Sequence, residues 1–123
     1  MISKDLIAAS SRPLILSFLA KQESYGYEII KNIQEMSDNK IIWKDGTIYP
    51  VLKKLCESGL IECEWKIVDG RNRKYYKITK AGLKALNEEK TQWQTVNNTL
   101  NNIWRCSNVS IRNVFGKLEE KTC

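Results

Sequence analysis

The run Asp45-Gly46-Thr47-Ile48-Tyr49-Pro50-Val51-Leu52-Lys53-Lys54-Leu55 decides how the rest of this 123-residue chain is read. Ile48, Val51, Leu52 and Leu55 fall at i, i+3, i+4 and i+7, which on a helix makes one apolar stripe facing a core. The opposite side carries Thr47, Tyr49, Lys53 and Lys54, with Glu57 the only acid nearby. Hydroxyls, a ring and two ammonium groups suit phosphates and base edges. Either Thr47 or Asp45 can cap this helix. With Thr47, Pro50 sits in the first turn at no cost; with Asp45, the helix gains a turn and loses the bond Pro50 cannot donate.

Downstream, Gly59 can take the left-handed conformation that closes a helix. Ile61, Cys63, Trp65 and Ile67 then alternate with Glu62, Glu64 and Lys66, the period of a half-buried strand. Asp69-Gly70-Arg71-Asn72 reads as a turn and Arg73 to Thr79 as the return strand. The hairpin tip gathers Arg71, Arg73 and Lys74, and with Lys66 and Lys77 carries five positive charges in twelve residues against Asp69 alone.

Upstream, Ser10-Ser11-Arg12-Pro13 offers one helix start, and an earlier start near Lys4 fits Leu6 and Ile7. The preferred reading is one longer helix to about Lys21, bent at Pro13. Ser24 is expected to cap a second helix whose apolar positions are Gly26, Ile29, Ile30, Ile33 and Met36, stopped by Ser37-Asp38-Asn39. Lys40 to Lys44, rich in strand formers, predicts a brief strand at the edge of a small sheet.

Thr79 can cap a long final helix from Lys80 to about Trp104, which at ~1.5 Å per residue would extend roughly 37 Å, too far for so small a domain to cover. Leu83, Leu86, Lys90, Trp93, Asn97, Leu100 and Trp104 step by three and four, as in the seam between two paired helices. A homodimer interface through Leu83, Leu86, Trp93, Leu100 and Trp104 follows as an expectation. Ile111, Val114, Phe115 and Leu118 predict a short terminal helix, capped near Ser107 or Asn108.

Composition narrows the function classes. Twenty Lys and Arg face fourteen Asp and Glu, a formal charge of +6. Residues 1–40 balance at five against five, while residues 41–79 hold eight basic against five acidic groups. A basic excess on the central helix and hairpin is the footprint of a polyanion partner. The chain has no histidine and its four cysteines show no CxxC spacing, which excludes a zinc finger and a Cys-His nucleophile, so no metal or cofactor is expected. Cys56 and Cys63 read as core thiols, and Cys106 and Cys123 as candidate redox-sensitive ones. No glycine-rich phosphate loop is present, and Glu88-Glu89 and Glu119-Glu120 are adjacent and diverge on helices, which argues against an enzyme. The N-terminus lacks a signal-peptide layout and no apolar run approaches the roughly 18 residues of a spanning helix, so a soluble, cytoplasmic protein with no membrane role is expected.

Three helices followed by a basic-tipped hairpin make a winged helix-turn-helix, a mainly α fold with a small β-hairpin. Its third helix enters the major groove of double-stranded DNA and its wing touches phosphates or the adjacent minor groove. The expected domains are a winged helix over residues 1–79, a dimerisation helix over 80–104 and a tail over 105–123. The expected DNA contacts are Thr47, Tyr49, Lys53, Lys54, Arg71, Arg73 and Lys74. A protein-interaction module is the alternative; an uncharged wing would favour it, and Arg71, Arg73 and Lys74 speak against it.

Tyr25-Gly26-Tyr27-Glu28-Ile29, the run Asp45 to Leu55, Glu57-Ser58-Gly59-Leu60-Ile61, and Arg73-Lys74-Tyr75-Tyr76-Lys77-Ile78-Thr79-Lys80-Ala81-Gly82 together resemble the PadR family of transcriptional regulators. The likeness covers about residues 5–104. It implies a repressor, dimeric through its C-terminal helix, that leaves its operator when a small molecule or other signal arrives. The family's DNA-facing Tyr and Lys map onto Tyr49 and Lys53, and its wing basics onto Arg71, Arg73 and Lys74; Asn72 departs from the arginine many members carry there. The chain looks like the small members with one C-terminal helix. In their multidrug-sensing relatives a Trp at the position of Trp93 stacks a planar aromatic effector at the dimer interface.

Overall fold

Seven elements follow one another in the computed structural model, which describes residues 2–44 and 46–107: α1 (Lys4–Lys21), β1 (Ser24–Tyr25), α2 (Gly26–Met36), α3 (Ile48–Glu57), β2 (Ile61–Val68), β3 (Arg71–Ile78) and α4 (Lys80–Ser107). The chain divides into two units, residues 1–87 and 88–123. The predicted terminal helix around Ile111 to Leu118 lies outside the described residues.

In the first unit α1 is the single long helix expected. Ser3 is its cap, its hydroxyl accepting the Leu6 N–H at 3.2 Å. Pro13 lies inside it and cannot bond the carbonyl four residues back. Ser10 and Ser11, the alternative helix start, lie inside it and donate their hydroxyls back along the helix, Ser11 to the Ile7 carbonyl at 2.7 Å. Helix α2 stops where Ser37-Asp38-Asn39 predicted, with Asp38 and Asn39 in the left-handed region at φ 54° and 64°.

The expected cap Ser24 has another role. It is buried in a two-residue strand, paired with Tyr76 of β3, and its hydroxyl donates to the Glu28 carboxylate. That strand gives a three-stranded antiparallel sheet in the order β1-β3-β2. The strand predicted over Lys40–Lys44 does not form. Its β-formers are used by side-chain burial: Trp43 is 4% exposed, and its indole N–H donates to the Ser11 hydroxyl at 2.9 Å. The Ser37 hydroxyl accepts the Ile41 N–H at 2.9 Å, so this segment is tied to its neighbours without a ladder.

Thr47 is the residue at the N-terminal cap of α3, placing Pro50 in the first turn. Ile48 and Leu52 are fully buried and Leu55 nearly so, and they meet Ile15, Leu16 and Leu19 of α1 and Ile29 and Ile33 of α2. Deleting a side chain as enclosed as Leu52 costs about 2–5 kcal/mol. The helix ends in a Schellman closure: Leu60 N–H bonds the Leu55 carbonyl and Gly59 N–H the Cys56 carbonyl, both at 3.0 Å, with Gly59 at φ 77°.

Strands β2 and β3 pair from Ile61↔Ile78 to Val68↔Arg71. The turn is tighter than expected, Asp69 and Gly70 alone at φ 53° and 75°, so Arg71 and Asn72 belong to β3. This is the two-residue turn whose twist matches the strands. The half-buried face predicted for β2 is buried only at Ile61; Trp65 is 63% and Ile67 78% exposed, and Cys63, expected in the core, is exposed too. Their alternation is regular, but among the described residues little covers that face near the hairpin end.

Helix α4 opens at the cap predicted for it. The Thr79 hydroxyl accepts the Gly82 N–H at 3.0 Å and donates toward the Gly59 and Leu60 carbonyls at 2.7 and 3.0 Å. The helix runs 28 residues, three beyond the expected Trp104. In the second unit Val96, Leu100, Ile103 and Trp104 are exposed and Trp93 is partly buried. Among the described residues no helix is long and apolar enough to cross a membrane.

Candidate nucleic-acid interface

The N-terminal end of α3 presents its polar groups outward. Thr47, Tyr49, Pro50, Lys53 and Lys54 are all exposed, the Thr47 side chain makes no capping bond, and no acid occupies the first turn. Free N–H groups and the positive end of a helix dipole favour an anion there. Tyr49 and Lys53 are one turn apart on the same side. The Tyr49 ring rests on Gly26, where an added Cβ would come within 2.6 Å of its Cε1 and 2.9 Å of its hydroxyl. Glycine at the start of α2 is what lets the ring lie there.

Wing side chains divide between two faces, because antiparallel partners share a face. On one, the Arg73 guanidinium lies 4.2 Å from the Tyr25 ring centre, Tyr25 meets Tyr75 edge-on at 5.3 Å, and the Lys66 ammonium lies 5.2 Å from Tyr75. Cation–π contacts of this kind contribute about 0.5–1 kcal/mol each at exposed sites, enough to orient Arg73. Lys66 is ion-paired with Glu23 and lies 3.8 Å from Glu64, so one of the five wing charges is internally neutralised. The pairing holds the Glu23 carboxyl below its usual range and the Lys66 ammonium above its own. On the other face Lys74 lies 6.0 Å from the Tyr76 ring centre. Tyr76 is buried and its phenol is pushed up to about 12, mainly by desolvation, so it stays a neutral donor.

Helix and wing meet in one cleft of about 240 Å³, lined by Tyr49 from α3, Arg73, Lys74 and Tyr76 from β3, Tyr25 from β1, and Gly26 and Tyr27 from the start of α2. Three of the seven predicted DNA contacts, Tyr49, Arg73 and Lys74, therefore share a site; Thr47, Lys53, Lys54 and Arg71 stand on the surface outside it. Tyr25 and Tyr27 are additions that residue patterns did not assign, although two tyrosines flanking a glycine were the available signal. Among the described residues no group of three or more Cys, Asp or Glu side chains is placed to hold a metal ion.

Of the five residues predicted for a dimer seam, Leu86 is 6% exposed and belongs to the core of its own chain, which leaves it no surface for a partner. Leu83, Leu100 and Trp104 are 43%, 36% and 51% exposed, and Trp93 is partly buried.

Known proteins resemble this chain in sequence and fold. The model of the PadR-like transcriptional regulator family matches residues 15–88. The Mycobacterium tuberculosis transcriptional regulator Rv3488 is 38% identical over 87 residues, 71% of this chain and 78% of its own. A transcriptional regulator structure from Clostridium thermocellum superposes with a TM-score of 0.75 at 32% identity, covering 83% of this chain and 97% of the other. A PadR-like regulator structure from Bacillus cereus does so with a TM-score of 0.73 at 33% identity, covering 81% and 96%. With three helices, a basic wing and a long last helix in that order, the chain belongs to the PadR-like family of transcriptional regulators.

Proposed function

We propose that the protein is a homodimeric, sequence-specific repressor that binds an operator through α3 and the wing and is released by a small molecule or another signal. The observation that carries this reading is the cleft in which Tyr49 of α3 and Arg73 and Lys74 of the wing converge. Phenolic hydroxyls and cations on one concave surface suit a phosphate, and Thr47, Lys53, Lys54 and Arg71 extend the contact along a duplex. Exposed Val96, Leu100, Ile103 and Trp104 on α4 support a second copy as partner, since apolar groups recurring on a helix favour burial. Two copies place two reading helices on two half-sites, and an effector that alters the pairing of the α4 helices alters the match. Trp93, on the same helix, is the residue proposed to stack a planar aromatic effector.

The test is binding to the DNA upstream of the protein's own gene, against shuffled DNA of equal length, across several salt concentrations. A steep salt slope with preference for the native fragment is expected. Each phosphate contact contributes about 0.9 to the log–log slope, so Arg71→Ala with Arg73→Ala should flatten it by roughly 1–2. An unchanged slope would take the wing off the DNA, and absence of binding at low salt would overturn the function.

A further inference from the structure

Trp65 and Ile67 are large apolar side chains left in the open on the wing. The pairing of β2 with β3 fixes which way they face. Ile61, Cys63, Trp65 and Ile67 alternate along one side of β2, and their partners Ile78, Tyr76, Lys74 and Asn72 share that side. Ile61 and Tyr76, at the base, are buried in the core that also holds Ile48, Leu52 and Leu55, so this is the side turned towards α3. At about 3.3 Å per residue, Trp65 stands roughly 7 Å and Ile67 roughly 13 Å further along the hairpin than the buried Tyr76. Charge is sorted between the two sides. Glu62 and Glu64 stand on the side away from α3, with Lys66, Tyr75 and Lys77. Of the residues in β2 and β3, those on the side towards α3 include no acid and one charge, Lys74. That lysine is directly across from Trp65 and also lines the cleft with Tyr49.

From this placement we propose that Trp65 and Ile67 form an apolar edge that packs against the sugars and base edges of the minor groove beside the half-site met by α3, with Lys74 on a bordering phosphate. The inference rests on the DNA-binding function proposed above and adds to it a contact that carries no charge. An indole beside an ammonium, with a branched aliphatic group beyond it and acids kept to the far side, is complementary to a nucleic acid strand. The ammonium takes a phosphate, and the apolar groups take deoxyribose rings and base edges. The minor groove is only about 6 Å wide and 7.5 Å deep, and the guanine amino group on its floor takes up part of that space. An A·T-rich flank therefore accommodates the two side chains best, and selection there is by groove shape rather than by base identity.

The experiment compares the full chain with its Trp65→Ala, Ile67→Ala variant on labelled DNA from upstream of the protein's own gene. Affinity is read by anisotropy at several salt concentrations, and minor-groove sugars by hydroxyl-radical footprinting at saturating protein. Expected is affinity weaker by about 10- to 100-fold, the range set by burying exposed side chains of this size. The log–log salt slope should not change, since no phosphate contact is lost, and protection should disappear at the outer edge of the footprint. Both positions are exposed, so the variant should melt with the parent, and Trp65→Phe with Ile67→Leu should keep most of the affinity. Unchanged affinity in the alanine variant, weaker binding with an unchanged footprint, or a slope that falls with the affinity would each overturn the contact while leaving the DNA-binding function standing. A parent protein larger in sedimentation than the variant would put a second copy on this face and overturn the contact too. A parent that ignores duplex DNA at low salt would overturn the proposed function and this contact with it.

Discussion

Gly82→Ala should destabilise this protein, although alanine is the better helix former. Gly82 is buried in the first turn of α4, and a Cβ added there would lie 2.1 Å from the Leu60 carbonyl oxygen and 2.6 Å from Ile78 Cγ1. An ordinary carbon–oxygen contact needs about 3.3 Å, so the backbone must yield by roughly 1 Å. Leu60 cannot yield freely, because its carbonyl accepts the Thr79 N–H at 3.0 Å and lies 3.0 Å from the Thr79 hydroxyl. Overpacking of this kind costs about 1–3 kcal/mol, and loosening those two bonds adds about 1 kcal/mol each. Helix propensity returns only about 1 kcal/mol. The net is a loss of about 2–4 kcal/mol, or roughly 10–20 °C in Tm. Urea and thermal denaturation followed by circular dichroism at fixed protein concentration would measure it. Ala81→Gly next door, at an exposed position, should cost no more than about 1 kcal/mol by losing propensity alone. A Gly82→Ala protein as stable as the parent would refute the close approach of α4 to the start of β2.

Gly26→Ala drives a methyl into the Tyr49 ring, but that ring is 46% exposed and can swing away, so stability should change by less than about 1 kcal/mol while DNA affinity falls. Unaltered binding would show that the seat of Tyr49 is irrelevant to recognition. Leu100→Lys with Trp104→Lys should give a folded monomer in sedimentation and reduce operator affinity; a dimer of normal affinity would remove this part of α4 from the interface. Cys56 and Tyr76 hold their protons to about 11 and 12 in the folded state, against ordinary values of 9.0 and 10.0. The unfolded chain releases those protons first, so this contribution is whole below about pH 9 and drains as pH rises through 11 and 12. Urea midpoints across that window, under reducing conditions, should fall, and Cys56→Ala should remove part of the slope; an identical slope in the variant would contradict the burial of the thiol.

Helix α3 was legible because its stripe is a local property: Ile48, Leu52 and Leu55 are as buried as their spacing required. The wing was legible in its pairing and not in its burial. Alternation in Cys63, Trp65 and Ile67 reports which side chains share a face, whereas exposure depends on what lies opposite, and that is set by elements distant in sequence. Ser24-Tyr25 escaped notice because a two-residue strand has no period. Trp43 misled in the opposite sense, since a β-forming run around a large ring looks the same whether its backbone or its indole does the bonding. Tyr49, Arg73 and Lys74 could each be named as DNA contacts, but their convergence with Tyr25 and Tyr27 is a product of the close approach at Gly26.

The indole of Trp43 acts as a peg between α1 and the segment leading into α3. Residues on either side of it are exposed, Ile42 at 50%, with Lys44 and Gly46 also open to solvent. Side chains can therefore vary at those open positions, whereas Ile41, packed on the core and bonded through its N–H to the Ser37 hydroxyl, fixes the path from α2 to Trp43. Only the few residues from Lys44 to Thr47 separate the peg from α3, so insertions there would have to be absorbed without moving the buried Ile48 and Leu52. The connection is thus nailed down at two points, Ile41 on the core and Trp43 on Ser11, and a helix entered from so short a tether inherits its position from them.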